Sequence, residues 1–433
     1  MKFDLLITDC TLLPIPGQEG LIAPGFIAIK AGRIAAVGPM AACPPVAAGT
    51  GVDGRGQLAL PGLVNGHCHA PMTLFRGLAD DLALATWLHD HIFPAEARRV
   101  NADMVYACAQ LAAAEMLLGG ITTVADGYFY EDSVAQACAD IGLRCVAAQA
   151  VIDFPAPGVP DPAGNIKAAR AFLERWQGRH PLITPALFAH SPYTCCPTTL
   201  RRAKALSREF EAPLFIHAAE TREEHCQIID PQGATPIRHL EALGLLDRDT
   251  VAVHCVWVDD QDLDLLAERQ AGVIVCPQSN LKLASGRAPL RAMLDRRLRV
   301  GLGSDGAASN NSLDLFREMD LAAKVQKVAP CDPVAVPAGQ ILTMATSGGA
   351  SALGFGSGHG LLAPGSPADL ILIDLEQPHL QPFHGPNLLV YSAGAGDVRT
   401  VIVDGALVVH NRQLRSLDLQ VCMDRVRQLA LFS

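Results

Sequence analysis

The pattern of apolar and polar positions changes texture twice along the chain. From Met1 to about Leu60, short β-like runs such as residues 26–29 and 33–37 are broken by Gly and Pro turns, and the same texture returns at 369–374 and 400–405. Between these ends, strand-like runs alternate with segments of helical periodicity, for example 102–118, 132–141 and 198–210. The strand candidates are 62–67, 121–126, 144–150, 183–190, 214–217, 251–254, 272–275 and 300–305. Eight strands alternating with helices predict parallel βαβ units closed into a (β/α)8 barrel of TIM type. The expected organisation is an α/β chain with a metal-dependent barrel over 61–364. A small β-sandwich is built from both termini, 1–60 and 365–433, the second part ending in a helix.

Composition narrows the function. Of 433 residues, 50% are hydrophobic and 18% charged, enough for a large core and too few charges for a disordered chain. The net charge of -10, with no Lys/Arg-rich run, argues against nucleic acid or an anionic membrane as partner. A small-molecule substrate fits better, and a homo-oligomer is left open. Acidic residues interrupt the first apolar positions too early for a signal peptide, and no uncharged run is long enough to span a bilayer, so a cytoplasmic protein is expected. Thirteen cysteines, an odd number with no C-x-x-C pair, read as reduced thiols filling apolar segments.

The candidate chemistry lies at the strand ends, where a barrel of this type carries its active site. His67 and His69 follow the first strand at i and i+2, so in an extended run they point the same way while Cys68 points to the outer packing. His190 ends the fourth strand, His217 the fifth, His254 the sixth and Asp305 the eighth. Three imidazoles and a carboxylate, His67, His69, His217 and Asp305, are suitable ligands for one divalent cation, Zn²⁺ first among them. Such an ion lowers the pKa of water towards about 7, so hydrolytic attack is the expected chemistry. Glu220, three residues beyond His217, is the expected proton carrier, and His254 with Asp305 orients the water. Singly each would be a packing, loop or turn residue; their joint placement reverses that. The other His-x-His, His89-Asp90-His91, lies in a segment without strand character, where i and i+2 do not share a face.

The stretches 66–77, 190–195, 217–221, 253–255, 279–286 and 303–311 resemble the amidohydrolase superfamily, and within it the 5'-methylthioadenosine/S-adenosylhomocysteine deaminase branch. The resemblance spans nearly the whole chain. It implies one metal ion per subunit, usually zinc, and hydrolytic deamination of an adenine nucleoside or thionucleoside with release of ammonia and an inosine-type product. Because the fourth strand ends in His190 with no lysine, the carboxylated-lysine bridge of two-metal relatives is excluded. The same resemblance points to Glu96 as acceptor of the ribose hydroxyls, to His190, Glu220 and Ser309 as substrate contacts, and to Arg144 as an arginine near the site. A second arginine is not evident in 151–155, which weakens the case for a substrate with a free carboxylate. The alternatives are a guanine or pterin deaminase, an s-triazine hydrolase, or a non-catalytic binding protein on the same barrel.

Overall fold

The computed structural model describes residues 2–18, 20–45 and 48–431. The chain begins with β1 (Phe3–Leu12), β2 (Ile22–Lys30), β3 (Arg33–Pro39), β4 (Ala48–Asp53) and β5 (Gln57–Pro61). Eight strands follow, each separated from the next by helix: β6 (Leu63–Cys68), β7 (Ile121–Tyr128), β8 (Arg144–Val151), β9 (Ile183–Ala189), β10 (Leu214–Ala218), β11 (Thr250–His254), β12 (Gly272–Val275) and β13 (Arg299–Leu302). The chain then returns to the first sheet with β14 (Leu370–Asp374), β15 (Val398–Val403), β16 (Ala406–His410) and β17 (Gln413–Leu414), and ends in the helix Leu419–Leu431.

Strands β6 to β13 pair in sequence order, and every paired register is parallel. The Asp305 N–H donates to the His67 carbonyl at 3.0 Å and ties the end of the sheet back to its beginning. Strands such as β7 and β8 are buried along their full length, as expected where one face lines the barrel and the other meets helices. Val64, Val146, Phe188, Phe215, Val253 and Ile274 fill the interior, while the alternate positions join the larger core under the helices. Gly66 is required by this crowding: a Cβ there would meet Ile274 Cδ1 at 2.4 Å. The helices begin where the sequence supplies caps. Asn101 accepts the Met104 N–H at the head of Ala102–Leu118, and Asp259 and Asp262 form a reciprocal capping box at the head of Asp260–Glu268.

The termini form one continuous nine-stranded mixed sheet, in the order β17-β16-β15-β14-β5-β1-β2-β3 with β4 alongside β1. The two separate layers expected from the sequence are thus a single sheet. It encloses its own core, in which Ile7, Ile27 and Ile29 from one end meet Leu370, Leu372 and Ile402 from the other. Strands β5 and β14 pair antiparallel and stitch the two ends of the chain together. The eighth barrel strand is shorter than expected, ending at Leu302, and Asp305 stands in the loop beyond it with a left-handed φ of 59°. The thirteen cysteines are all unpaired. Among the described residues, no helix is long and apolar enough to cross a membrane.

Candidate active site

The period-two geometry of β6 gathers the first two imidazoles. His67 is the penultimate residue of the strand and His69 follows its end, and their rings meet edge to face at 4.6 Å; Cys68 joins the apolar core under the helices. His217, on β10, brings its Nε2 to 3.2 Å from that of His67. The ligating atoms of His67, His69 and His217 all lie within 4.8 Å of one another. Asp305 Oδ1 stands 3.5 Å from His67 Nε2 and 3.4 Å from His69 Nε2. Phe188 from β9 floors this group, its ring 4.7 Å from that of His217.

The protonation states suit a cation. Burial pushes the His67 imidazole down to about 4, more than the neighbouring Asp305 carboxylate can offset, and burial also lowers His69 and takes His217 well below its ordinary value. Burial alone would raise Asp305, but its hydrogen bonding to His67 and the His69 and His67 rings hold it well below the usual carboxylate range. Its Oδ2 also accepts the hydroxyls of Ser279 at 2.6 Å and Ser309 at 3.0 Å. The Gly127 carbonyl can only accept, so the contact at 2.6 Å puts the His69 proton on Nδ1 and leaves the Nε2 lone pair facing Asp305. Lone pairs and a carboxylate converge on one point with no proton between them, an arrangement that a divalent cation stabilises.

Around this centre lie the other strand-end residues. Glu220 sits beyond β10 with Oε2 3.7 Å from His254 Nε2, and its Oε1 accepts the Ser285 hydroxyl at 3.4 Å. Burial, followed by the negative charge of Asp305, pushes the Glu220 carboxyl up to about 8. Glu224 fixes the loop by accepting the backbone N–H groups of Ala219 and Glu220 at 2.8 and 2.7 Å. His254 closes β11 with φ 77°, its Nδ1 3.0 Å from the Asn280 side-chain amide. His190 follows β9 and is held by Thr194, whose hydroxyl is 2.9 Å from its Nδ1; burial lowers its imidazole to about 3.

These groups open onto a cavity of about 690 Å³, which is also lined by Ser309 and by Glu96. Glu96 lies in the first turn of the helix Phe93–Arg99, yet it is only 4% exposed and faces the cavity instead of capping the helix in solvent. Tyr128 donates its hydroxyl to Glu96 Oε1 at 2.6 Å, and burial raises the carboxyl to about 7 against the pull of that bond.

Arg144 is a correction. It is the first residue of β8, at the opposite end of the barrel from the histidines, and its guanidinium is engaged by Asp369 at 2.8 and 3.1 Å and by Asp404 at 3.3 Å. It ties the barrel to the terminal sheet and does not reach the cavity. The resemblance carried over an arginine near the strand; the strand's direction puts it on the wrong end. Conversely, Tyr128, Ser279, Asn280, Ser285 and Glu224 were not singled out from the sequence. Ser279, Asn280 and Ser285 lie within the stretch 279–286, where position alone marked them. His89 and His91 lie in a helical turn, Trp87–Ile92, away from the imidazole cluster.

An eight-stranded parallel barrel with a His-x-His pair on its first strand, histidines on its fifth and sixth and an aspartate after its eighth defines a hydrolase-type metal site. The sequence pattern of the amidohydrolase family matches residues 58–408, and the chain belongs to that family. It is 45% identical, over 99% of its length and 98% of the relative's, to a 5-methylthioadenosine/S-adenosylhomocysteine deaminase of Syntrophobacter fumaroxidans. It is 43% identical, over 97% and 96% of the two chains, to a 5'-deoxyadenosine deaminase of Methanothermobacter thermautotrophicus. The crystal structure of an adenosine deaminase from Xanthomonas campestris with bound zinc superposes with a TM-score of 0.96, at 36% identity over 99% of this chain and 98% of that one.

Proposed function

We propose that the chain is a zinc-dependent aminohydrolase that deaminates an adenine nucleoside with a small 5' group, such as 5'-methylthioadenosine, 5'-deoxyadenosine or adenosine. One observation carries the reading: the cavity that contains the imidazole cluster and Glu220 also contains a second buried carboxyl, Glu96, whose Oε2 has no donor among the described residues. A carboxylate oxygen can accept a vicinal diol, and a bare heterocycle would give it nothing to bind. The names of the relatives support the same class.

Zinc held by His67, His69, His217 and Asp305 supplies hydroxide at neutral pH by lowering the pKa of water towards about 7. The side chains do the rest. Glu220 takes the proton of the attacking water and delivers it to the ring nitrogen beside the amino-bearing carbon, so that the carbon–nitrogen bond breaks and ammonia leaves. His254, fixed by Asn280, orients the water together with Asp305, and the neutral ring of His190 contacts the purine. Ser309 steadies Asp305 at the pocket edge.

The mouth of the cavity disfavours a carboxylate. Phe93 and Tyr193 line both the cavity and the adjoining groove, where the charged side chain is Asp153, already occupied by the Cys196 N–H and the Thr199 hydroxyl. With Arg144 engaged elsewhere, S-adenosylhomocysteine meets no guanidinium there. The test is ammonia release from adenosine, 5'-deoxyadenosine, 5'-methylthioadenosine, S-adenosylhomocysteine, guanine, isoxanthopterin and a chlorotriazine. The first three are expected to lead in kcat/KM, with S-adenosylhomocysteine at least tenfold behind. Preference for guanine, the pterin or chloride release from the triazine would overturn the substrate class, and no turnover by zinc-loaded protein would overturn the activity.

A further inference from the structure

Trp87 opens the π-helical turn Trp87–Ile92, which leads directly into the helix bearing Glu96. Its indole lines the same cavity as Glu96, His190 and Glu220 and is 4% exposed. Its Nε1 has no acceptor among the described residues. The other two tryptophans show the contrast: Trp176 donates to Asp132 at 2.7 Å and Trp257 to the Ser285 carbonyl at 2.7 Å. A buried N–H without an acceptor destabilises a fold, and native structures rarely keep one without a use. If only bulk were needed here, a phenyl ring would fill the wall without that cost. The π-helical turn points the same way, since such turns recur at functional sites.

The wall therefore offers two complementary unpaired groups on adjoining helical turns, the Glu96 Oε2 acceptor and the Trp87 N–H donor. A hydroxyl satisfies both at once, because its proton goes to the carboxylate while a lone pair on its oxygen accepts from the indole. A purine nitrogen can take only the second bond. We propose that Trp87 is a specificity residue for the sugar, its indole N–H donating to the ribose hydroxyl whose own proton is given to Glu96. This assignment rests on the nucleoside reading above.

Trp87→Phe keeps the ring and removes the donor. With zinc content matched to wild type, kcat and KM are measured by ammonia release on adenosine, 2'-deoxyadenosine and 3'-deoxyadenosine. The variant is expected to raise KM for adenosine about fivefold, the loss of one neutral hydrogen bond, with kcat within about twofold. The penalty should vanish on whichever deoxynucleoside lacks the partner hydroxyl. An equal penalty on all three substrates, or none on adenosine, overturns the assignment. A second measurement does not depend on that variant folding. In ¹⁵N-tryptophan-labelled Glu220→Gln protein, with resonances assigned through Trp176→Phe and Trp257→Phe, the Trp87 indole proton should move downfield on saturation with adenosine, and a resonance that stays put overturns the assignment. A wild type that deaminates free adenine as well as adenosine would defeat the nucleoside reading and this assignment together. A nucleoside-selective wild type with an insensitive Trp87→Phe defeats only the assignment.

Discussion

Replacing Arg144 by Met separates a structural arginine from a substrate-binding one. The guanidinium and the Asp369 carboxylate are each 9% exposed, with bonds of 2.8 and 3.1 Å, so solvent screens the pair little. Removing one member of such a pair costs about 3–5 kcal/mol because the other charge is left buried. The lower end applies here, since Asp369 keeps the Asp404 N–H at 2.6 Å, and the bond to the half-exposed Asp404 carboxylate adds little. With an unfolding entropy of about 2.1 cal/mol/K per residue, a loss of about 3 kcal/mol over a chain of 433 residues lowers Tm by about 3 °C. Calorimetry of the zinc-loaded protein measures that shift, and steady-state ammonia release below the transition measures the chemistry. KM for 5'-methylthioadenosine and for S-adenosylhomocysteine should both stay within twofold of wild type. A selective rise in KM for S-adenosylhomocysteine at unchanged Tm would refute the reasoning and return Arg144 to the substrate.

Three further outcomes test the site. Glu220→Gln should keep its zinc, by elemental analysis, and lose about 10²–10⁴-fold in kcat, the range for a positioned proton carrier; zinc lost with the carboxylate would make Glu220 a ligand instead. Glu96→Ala should raise KM for adenosine at least tenfold, and unchanged kinetics on the best nucleoside would remove the sugar contact. Stability of the zinc-stripped protein should fall as pH rises from 7 to 9. Burial brings the carboxyls of Asp126, Glu220 and Glu318 up to about 8, above their unfolded values, so the native state holds protons that the unfolded chain has released. That contribution is full below the unfolded values and is lost as pH passes through about 8. A Tm that climbed between pH 7 and 9 would contradict the burial of these groups.

The barrel was legible because its signals are local. Alternating apolar runs with interposed helical periodicity locate each strand within a few residues, and the rule that barrel sites lie at strand C-termini then selects His67, His69, His190, His217, His254 and Asp305. The eighth strand shows where that reading loosens: hydrophobicity from 300 to 303 reads as strand, but Asp305 needs a left-handed backbone to turn its carboxylate towards the imidazoles, and no periodicity encodes that turn. Arg144 failed for a different reason. Sequence proximity to a strand says nothing about which end of the barrel a residue occupies until the strand's direction is applied, and its partner Asp369 lies 225 residues away in the terminal sheet. Tyr128, Asn280 and Glu224 were silent for a third: each acts by holding another side chain or loop, a role fixed by contact and not by residue type.

The supporting contacts explain why so many buried ionisable groups can be tolerated in one place. Ser279 and Ser309 donate to Asp305, Asn280 faces His254, Tyr128 donates to Glu96, and Gly127 fixes the tautomer of His69. Each aims a lone pair or a proton before any substrate arrives, which is where a preorganised site gains most of its advantage over water. The arrangement also divides the carboxyls by environment. Asp305, ringed by imidazoles and hydroxyls, stays ionised and available as a ligand, while Glu220, in a drier place a few ångströms from His254, holds its proton to about 8 and can release it to a leaving group. A proton carrier and a metal ligand can therefore be the same kind of side chain in one cavity, told apart by what surrounds them.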